Sequence, residues 1–293
     1  MATVHECGRQ RNTDNMKNIL VATDFTKSSL SAVNYAANIA LATGSRLILL
    51  HATHIPVVSD SFFDMGFTLD EMQKADREKM ARLHSDLQKK FPDLKMEKQV
   101  KIGFTGELIR EMVRKGDVGL VIMGISHVDK FSQVVFGSTS TAIAGLLNCP
   151  VLIIPEGARY REWKKIGFTF DQKNLPTGTG VRVLKELVDA YGAELHYVNV
   201  LDQQPFTEKD TTSLNPVFKI FKDEQPHVHF LNYIPNKTVD IIQDWARRYK
   251  ANALVMVARQ HNLLWKMFNE RTTKKMAFST SVPLLILSES KKH

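Results

Sequence analysis

A chain of 293 residues, 43% hydrophobic and 24% charged, has the make-up of a globular protein near the length at which one core divides into two. Its apolar runs fall well short of the roughly 20 residues that span a bilayer, and no secretory signal opens it, so a cytoplasmic protein with no membrane partner is expected. Cys7 and Cys149 fit a reducing compartment, and a net charge of +8 without a dense basic block among aromatics argues against nucleic acid as partner.

Residues 1–15 are polar, lack apolar periodicity and read as a disordered leader. From Lys17 the pattern becomes regular. Asn18–Thr23 (NILVAT) is a short apolar run ending at Asp24, the pattern of a buried strand. Ser28–Thr43 repeats Leu30, Val33, Ala36, Ala37, Ala40 and Leu41 at helical spacing and stops at Gly44. Arg46–Ala52 reads as the second strand. Residues 54–68 form an irregular connection with Phe62, Phe63 and Phe67, and a helix of alternating charge then runs to about Lys90. Further strands are predicted at Met96–Ile102, Val118–Met123 and Pro150–Ile154, with helices at Gly106–Lys115 and Ser138–Leu147. Five strands separated by helices predict an α/β unit, a parallel sheet with helices on both faces.

The same order then recurs. Lys165–Asp171 (KIGFTFD) lines up with Asn18–Asp24, and Ala190–Val200 with Ala42–Ala52. Ala253–Ala258 parallels Gly119–Gly124, and Val282–Leu287 parallels Cys149–Ile154. Order and spacing agree throughout, which predicts two tandem units over 16–155 and 164–290. Residues 156–163, a Pro/Gly/charged stretch with Pro155 before it, are expected to link them.

In open parallel sheets, ligands bind beyond the carboxyl ends of the strands, where the strand order reverses. Two such ends are informative. Asp24 follows the first strand, where a carboxylate can accept hydrogen bonds from ribose hydroxyls; its bland alternative is a cap on the following helix. After the fourth strand come Met123-Gly124-Ile125-Ser126-His127, then nine residues, then Gly137-Ser138-Thr139. A glycine at a loop-to-helix junction lets backbone N–H groups and the helix N-terminus reach phosphate oxygens. Ser138 and Thr139 either add donors there or only cap the helix.

These residues resemble the universal stress protein family, whose nucleotide-binding members carry Gly-x2-Gly-x9-Gly-(Ser/Thr) after the fourth strand. The resemblance runs from Met16 to Ser288 and rests on ILVATDF, LILLHA, GELI, LVIMG, FGSTS and CPVLIIP. It implies two Rossmann-like units of the adenine nucleotide alpha hydrolase type. It also implies a site for ATP or another adenine nucleotide, with or without Mg²⁺, at Ala22, Thr23, Asp24, Ala52, Met123, Gly124, Gly137, Ser138 and Thr139. The motif's second glycine is His127 here; histidine tolerates left-handed backbone better than most residues, and its ring can itself donate to a phosphate.

The second unit departs further. Asp171 stands where Asp24 stood, but Ala258, His261 and Arg271 replace Gly124, His127 and Gly137. Leu263, Leu264, Trp265, Met267 and Phe268 make its loop apolar, so a packed, non-binding unit is expected. No catalytic constellation or metal spacing is found. His227 and His229, alternating on a strand, read as structural. Any ATP hydrolysis is expected to be slow, for want of an activating base. The expected function is regulatory nucleotide binding in a stress response; the alternative is a nucleotide-free scaffold acting through protein partners. In the family the final strands pair to make dimers, which implies an intramolecular pseudo-dimer through Pro150–Ile154 and Pro283–Leu287 and leaves a further homodimer open.

Overall fold

The computed structural model describes residues 16–54, 69–125, 149–169, 179–201, 212, 218–219, 221, 225–235, 237–258 and 281–288. In chain order the elements are β1 (Asn18–Ala22), α1 (Lys27–Thr43), β2 (Arg46–Thr53), α2 (Leu69–Lys90), β3 (Met96–Ile102), α3 (Thr105–Arg114), β4 (Leu120–Ile125) and β5 (Val151–Pro155). There follow β6 (Lys165–Thr169), α4 (Thr179–Tyr191), β7 (Glu194–Leu201), β8 (His227–Asn232), α5 (Thr238–Tyr249), β9 (Ala253–Ala258) and β10 (Leu284–Ser288). The leader, most of the 54–68 connection and the predicted helix at Ser138–Leu147 lie outside the described residues.

All ten strands join one sheet in the order β3-β2-β1-β4-β5-β10-β9-β6-β7-β8. Read outward from the middle, the two sides repeat one sequence of strands. Pairing is parallel within each side, and the single antiparallel step is central, where Leu284, Leu285 and Ile286 of β10 lie opposite Ile153, Leu152 and Val151 of β5. The inner strands are unbroken apolar runs because helices cover both faces: Ile19, Leu20 and Val21 of β1 and every residue of β5 are buried. The outer strands, MEKQVKI and HVHFLN, mix polar with apolar residues and are only partly buried, as solvated edges are.

Each face carries one hydrophobic layer, and each layer crosses from one half into the other. On the first, Ile19, Val21 and Leu49 share a cluster with Phe168, Tyr197 and Leu285; on the second, Leu20, Val121 and Ile153 share one with Val198, Trp245 and Leu284. The connecting segment is packed into the first layer. Trp163 is fully buried with its ring 5.8 Å from Tyr191, and Tyr35 of α1 donates to the Arg159 carbonyl at 3.0 Å. Tyr160 bonds Tyr191 through their hydroxyls at 3.2 Å, so the strap from 156 to 163 buttons α1 to α4.

Several strand boundaries differ from the sequence reading by one or two residues. β4 begins at Leu120 and continues through Ile125, and β5 ends at Pro155. The ladder sets these limits: Gly124 and Ile125 still find partners in Ile154 and Pro155, whereas Gly119 only donates its N–H to the Asn18 carbonyl on entry.

Candidate site at the carboxyl ends of the first-half strands

Within the first half the strand order reverses between β1 and β4, the place at whose carboxyl ends open parallel sheets bind ligands. The register brings the sequence-predicted residues of three strands together there. Ala22 pairs with Leu50, two residues before Ala52, and Val21 pairs with Ile122, just before Met123 and Gly124. Thr23, Ala52 and Met123 are each only 5% exposed, while Asp24 stands in solvent at the rim.

Thr23 is fully engaged in holding the turn. Its N–H donates to the Leu50 carbonyl (2.9 Å), and its hydroxyl accepts from the Phe25 N–H (3.0 Å) and shares a hydrogen bond with Ser29 (3.0 Å). Phe25 then adopts φ +64, the left-handed region a bulky aromatic rarely enters, and this turn presents Asp24 outward while the Phe25 ring packs on His51 at 4.6 Å.

The cap of α1 is Thr26, whose hydroxyl accepts from the Ser29 N–H. Asp24 instead braces Thr26, its Oδ1 accepting from the Thr26 N–H (3.0 Å) and hydroxyl (2.6 Å). Partial burial works against the Asp24 charge, but the donors on Thr26 and Ser29 outweigh it and hold the carboxyl below its ordinary 3.8. An ionised carboxylate therefore sits at the strand-order reversal.

Gly124 has a packing reason of its own. A Cβ there would fall 2.3 Å from the Ser28 carbonyl oxygen and 2.9 Å from the Ser29 nitrogen, so the first turn of α1 rests directly on β4. The family resemblance sets this glycine in the nucleotide site; close helix–strand packing requires it with or without a ligand.

Beneath the turn lies a cluster that sequence reasoning missed. His51 Nδ1 donates to the Thr23 carbonyl at 2.7 Å, and its Nε2 lies 3.1 Å from Asp76 of α2. Both ring nitrogens thus face acceptors. The Thr53 hydroxyl donates to the same Asp76 oxygen at 2.8 Å. Burial opposes ionisation of Asp76, but Thr53, His51 and Lys79 together hold its carboxyl below 3.8. The pair fastens α2 to the ends of β1 and β2. Only the polar residues at the end of an otherwise apolar β2 hinted at it, because the partner lies on the far side of an irregular connection.

His127, Gly137, Ser138 and Thr139 lie outside the described residues, as do Asp171, His261, Arg271 and the 263–268 loop. Among the described residues no group of three or more His, Cys, Asp or Glu is arranged to hold a metal ion, and no helix is long and apolar enough to cross a membrane. Cys149 is buried, its thiol pushed up to about 12 by desolvation, and it faces the Val118 carbonyl.

Residues 15–155 match the model of the universal stress protein family. The universal stress protein Sll1388 of Synechocystis sp. is 28% identical over 151 residues, spanning 46% of this chain and 96% of that protein. The fold of nearly the whole chain recurs in a universal stress protein from Archaeoglobus fulgidus, at TM-score 0.70 and 15% identity over 96% of this chain and 99% of that one. It recurs again in the Pseudomonas aeruginosa protein PA1789, of unknown function, at TM-score 0.57 and 16% identity over 94% of each chain. The family match thus covers the first half, residues 15–155, which is a universal stress protein domain by its sequence, while the repeated strand order sets a second unit of the same fold beside it in one sheet.

Proposed function

We propose that the first unit, residues 16–155, is a stress-response regulatory module that binds ATP or another adenine nucleotide, and that the second, 164–290, is structural. The observation that carries this reading is Asp24. It is exposed and ionised at the reversal of strand order, and Thr26 relieves it of capping α1. An acceptor so placed suits ribose hydroxyls, and the buried Ala52 and Met123 give the adjoining strand ends the apolar surface a purine needs. Gly137, Ser138 and Thr139, with His127, are the residues assigned to the phosphates. On this reading the module binds and responds in the cytoplasm, with any ATP hydrolysis slow.

Two measurements test this. Protein purified from its host and then denatured should release adenine nucleotide. Asp24→Ala should weaken ATP binding roughly 10- to 100-fold, the loss of charge-assisted hydrogen bonds worth about 1.5–3 kcal/mol. Asp171→Ala should leave binding unchanged. A nucleotide-free protein with no thermal shift in millimolar ATP would overturn the proposal in favour of a scaffold working through protein partners. Loss of binding on Asp171→Ala alone would move the site to the second unit.

A further inference from the structure

The second half carries a histidine cluster that nucleotide binding does not use. His196 on β7 lies beside His227 and His229 on the outer strand β8, the register pairing His196 with His227 and Val198 with His229. The His196 ring stacks on His227 at 4.8 Å and on His229 at 5.2 Å. From the helix side, Tyr249 and Trp245 of α5 close on His229 at 4.5 and 5.1 Å.

The hydrogen bonds fix where the protons are. His196 Nε2 lies 3.3 Å from Glu194, a carboxylate that only accepts, so this nitrogen carries a proton. His196 Nδ1 lies 2.9 Å from His229 Nε2 and accepts its proton. The ladder Glu194–His196–His229 is thus complete with both imidazoles neutral. A proton added at His196 Nδ1 keeps the 2.9 Å bond only if His229 shifts its own proton to Nδ1, and the ladder then carries a cation; a second added proton sets two N–H groups against each other. A proton added to His229 puts a cation in a half-buried place beside two further imidazoles. The charged and titratable groups facing the pair are Glu194 and Lys165 (3.6 Å from Glu194) on the β7–β6 side, His227 on β8 and Tyr249 on α5.

Among its described residues the first half has no such histidine cluster. By register and repeat, Ile48 stands where His196 stands, and Glu97 and Gln99 where His227 and His229 stand. We propose that the histidine ladder is an acid-released latch: mild acid breaks it and loosens β8 and α5, while β3 at the opposite edge of the sheet stays closed. Burial supports this, since desolvation and then the neighbouring rings lower His229 to about 4 and hold His196 below its usual value. An opened β8 exposes the backbone of β7 as a new sheet edge, so acid converts a covered edge into a pairing surface.

Hydrogen exchange read by mass spectrometry, corrected for the intrinsic pH dependence of exchange, tests the latch on the full chain. Between pH 7 and pH 5 the opening equilibrium of β8 should rise about 20-fold, the linkage effect of one imidazole lowered from 6.5 to about 4. Protection of β3 should not change. The double variant His196→Ile/His229→Gln, which writes in the first-half residues, should remove the pH response of β8. Equal behaviour of β8 and β3, or a response that survives in the variant, overturns the proposal. Should the variant fail to fold, imidazole NMR titration of the unmodified protein decides: protonation of both His196 and His229 near 6.5 overturns it.

Discussion

At the carboxyl end of β2 the first half places His51 between a carbonyl and the Asp76 carboxylate, whereas the corresponding residue of β7 is Asn199, buried and uncharged. At the sheet edges the contrast reverses: β3 carries half-buried Glu97 and Gln99 bonded to each other, while β8 offers two histidines engaged with a third. One backbone plan thus carries two opposite acid–base settings. Asp24 and Asp76 are held ionised, with folded values below 3.8, so their contribution to stability is present above that value and lost only as pH falls through the lower folded value. His196 and His229 are held neutral, with folded values below 6.5, so their contribution is present above 6.5 and lost as pH falls toward about 4. Acid should therefore loosen the second half before the first. The apolar ladder decides the plan; the polar residues beside it decide how each half responds.

The contrast between halves can be broken most severely at their join. Trp163→Ala removes a fully buried indole from a layer both halves share and should cost about 3–5 kcal/mol. Because that layer is continuous, urea unfolding should lose both halves in one transition; two separated transitions in this variant would show that the halves are energetically independent. A smaller effect separates the halves by their helix packing. Gly124→Ala drives a Cβ into the backbone of Ser28 and should cost about 1–3 kcal/mol with no ligand present. Ala258→Gly, at the matching strand end, should cost under about 1 kcal/mol from backbone entropy. Equal costs for the two would show that α1 does not rest on β4 as described. The smallest effect probes the strap alone. Tyr35→Phe deletes the hydrogen bond to the Arg159 carbonyl and should lower stability by about 1 kcal/mol, read as a shift in urea midpoint at constant slope.

The second half also shows how one substitution is accommodated elsewhere in the fold. Gly167 of β6 stands where β1 has Leu20, and a Cβ on it would fall 2.4 Å from the Trp245 ring. The tryptophan of α5 fills the volume the glycine vacates and, on its other side, closes over His229. A large residue on the helix and a missing side chain on the strand thus form one packing unit, and the latch is built against it.

Much of this was legible in the sequence. Element order and the repeat could be read because buried parallel strands are continuous apolar runs and because helices announce themselves by spacing and by an end such as Gly44. The strand-end position of Asp24 followed from the parallel sheet, and the family resemblance set Ala22, Ala52, Met123 and Gly124 beside it; the register brings these strand ends together. Three things had no local signature: the pairing of His51 with Asp76, the resting of α1 on Gly124, and the burial of Trp163 in what reads as a plain linker. The meeting of His196 with His229 belongs with them. Apolar periodicity is a property of neighbouring residues and survives in one dimension. A hydrogen bond or a backbone contact between distant residues exists only once the sheet has set its register, so only the tertiary structure decides which polar groups share a proton and which glycine leaves room for a helix.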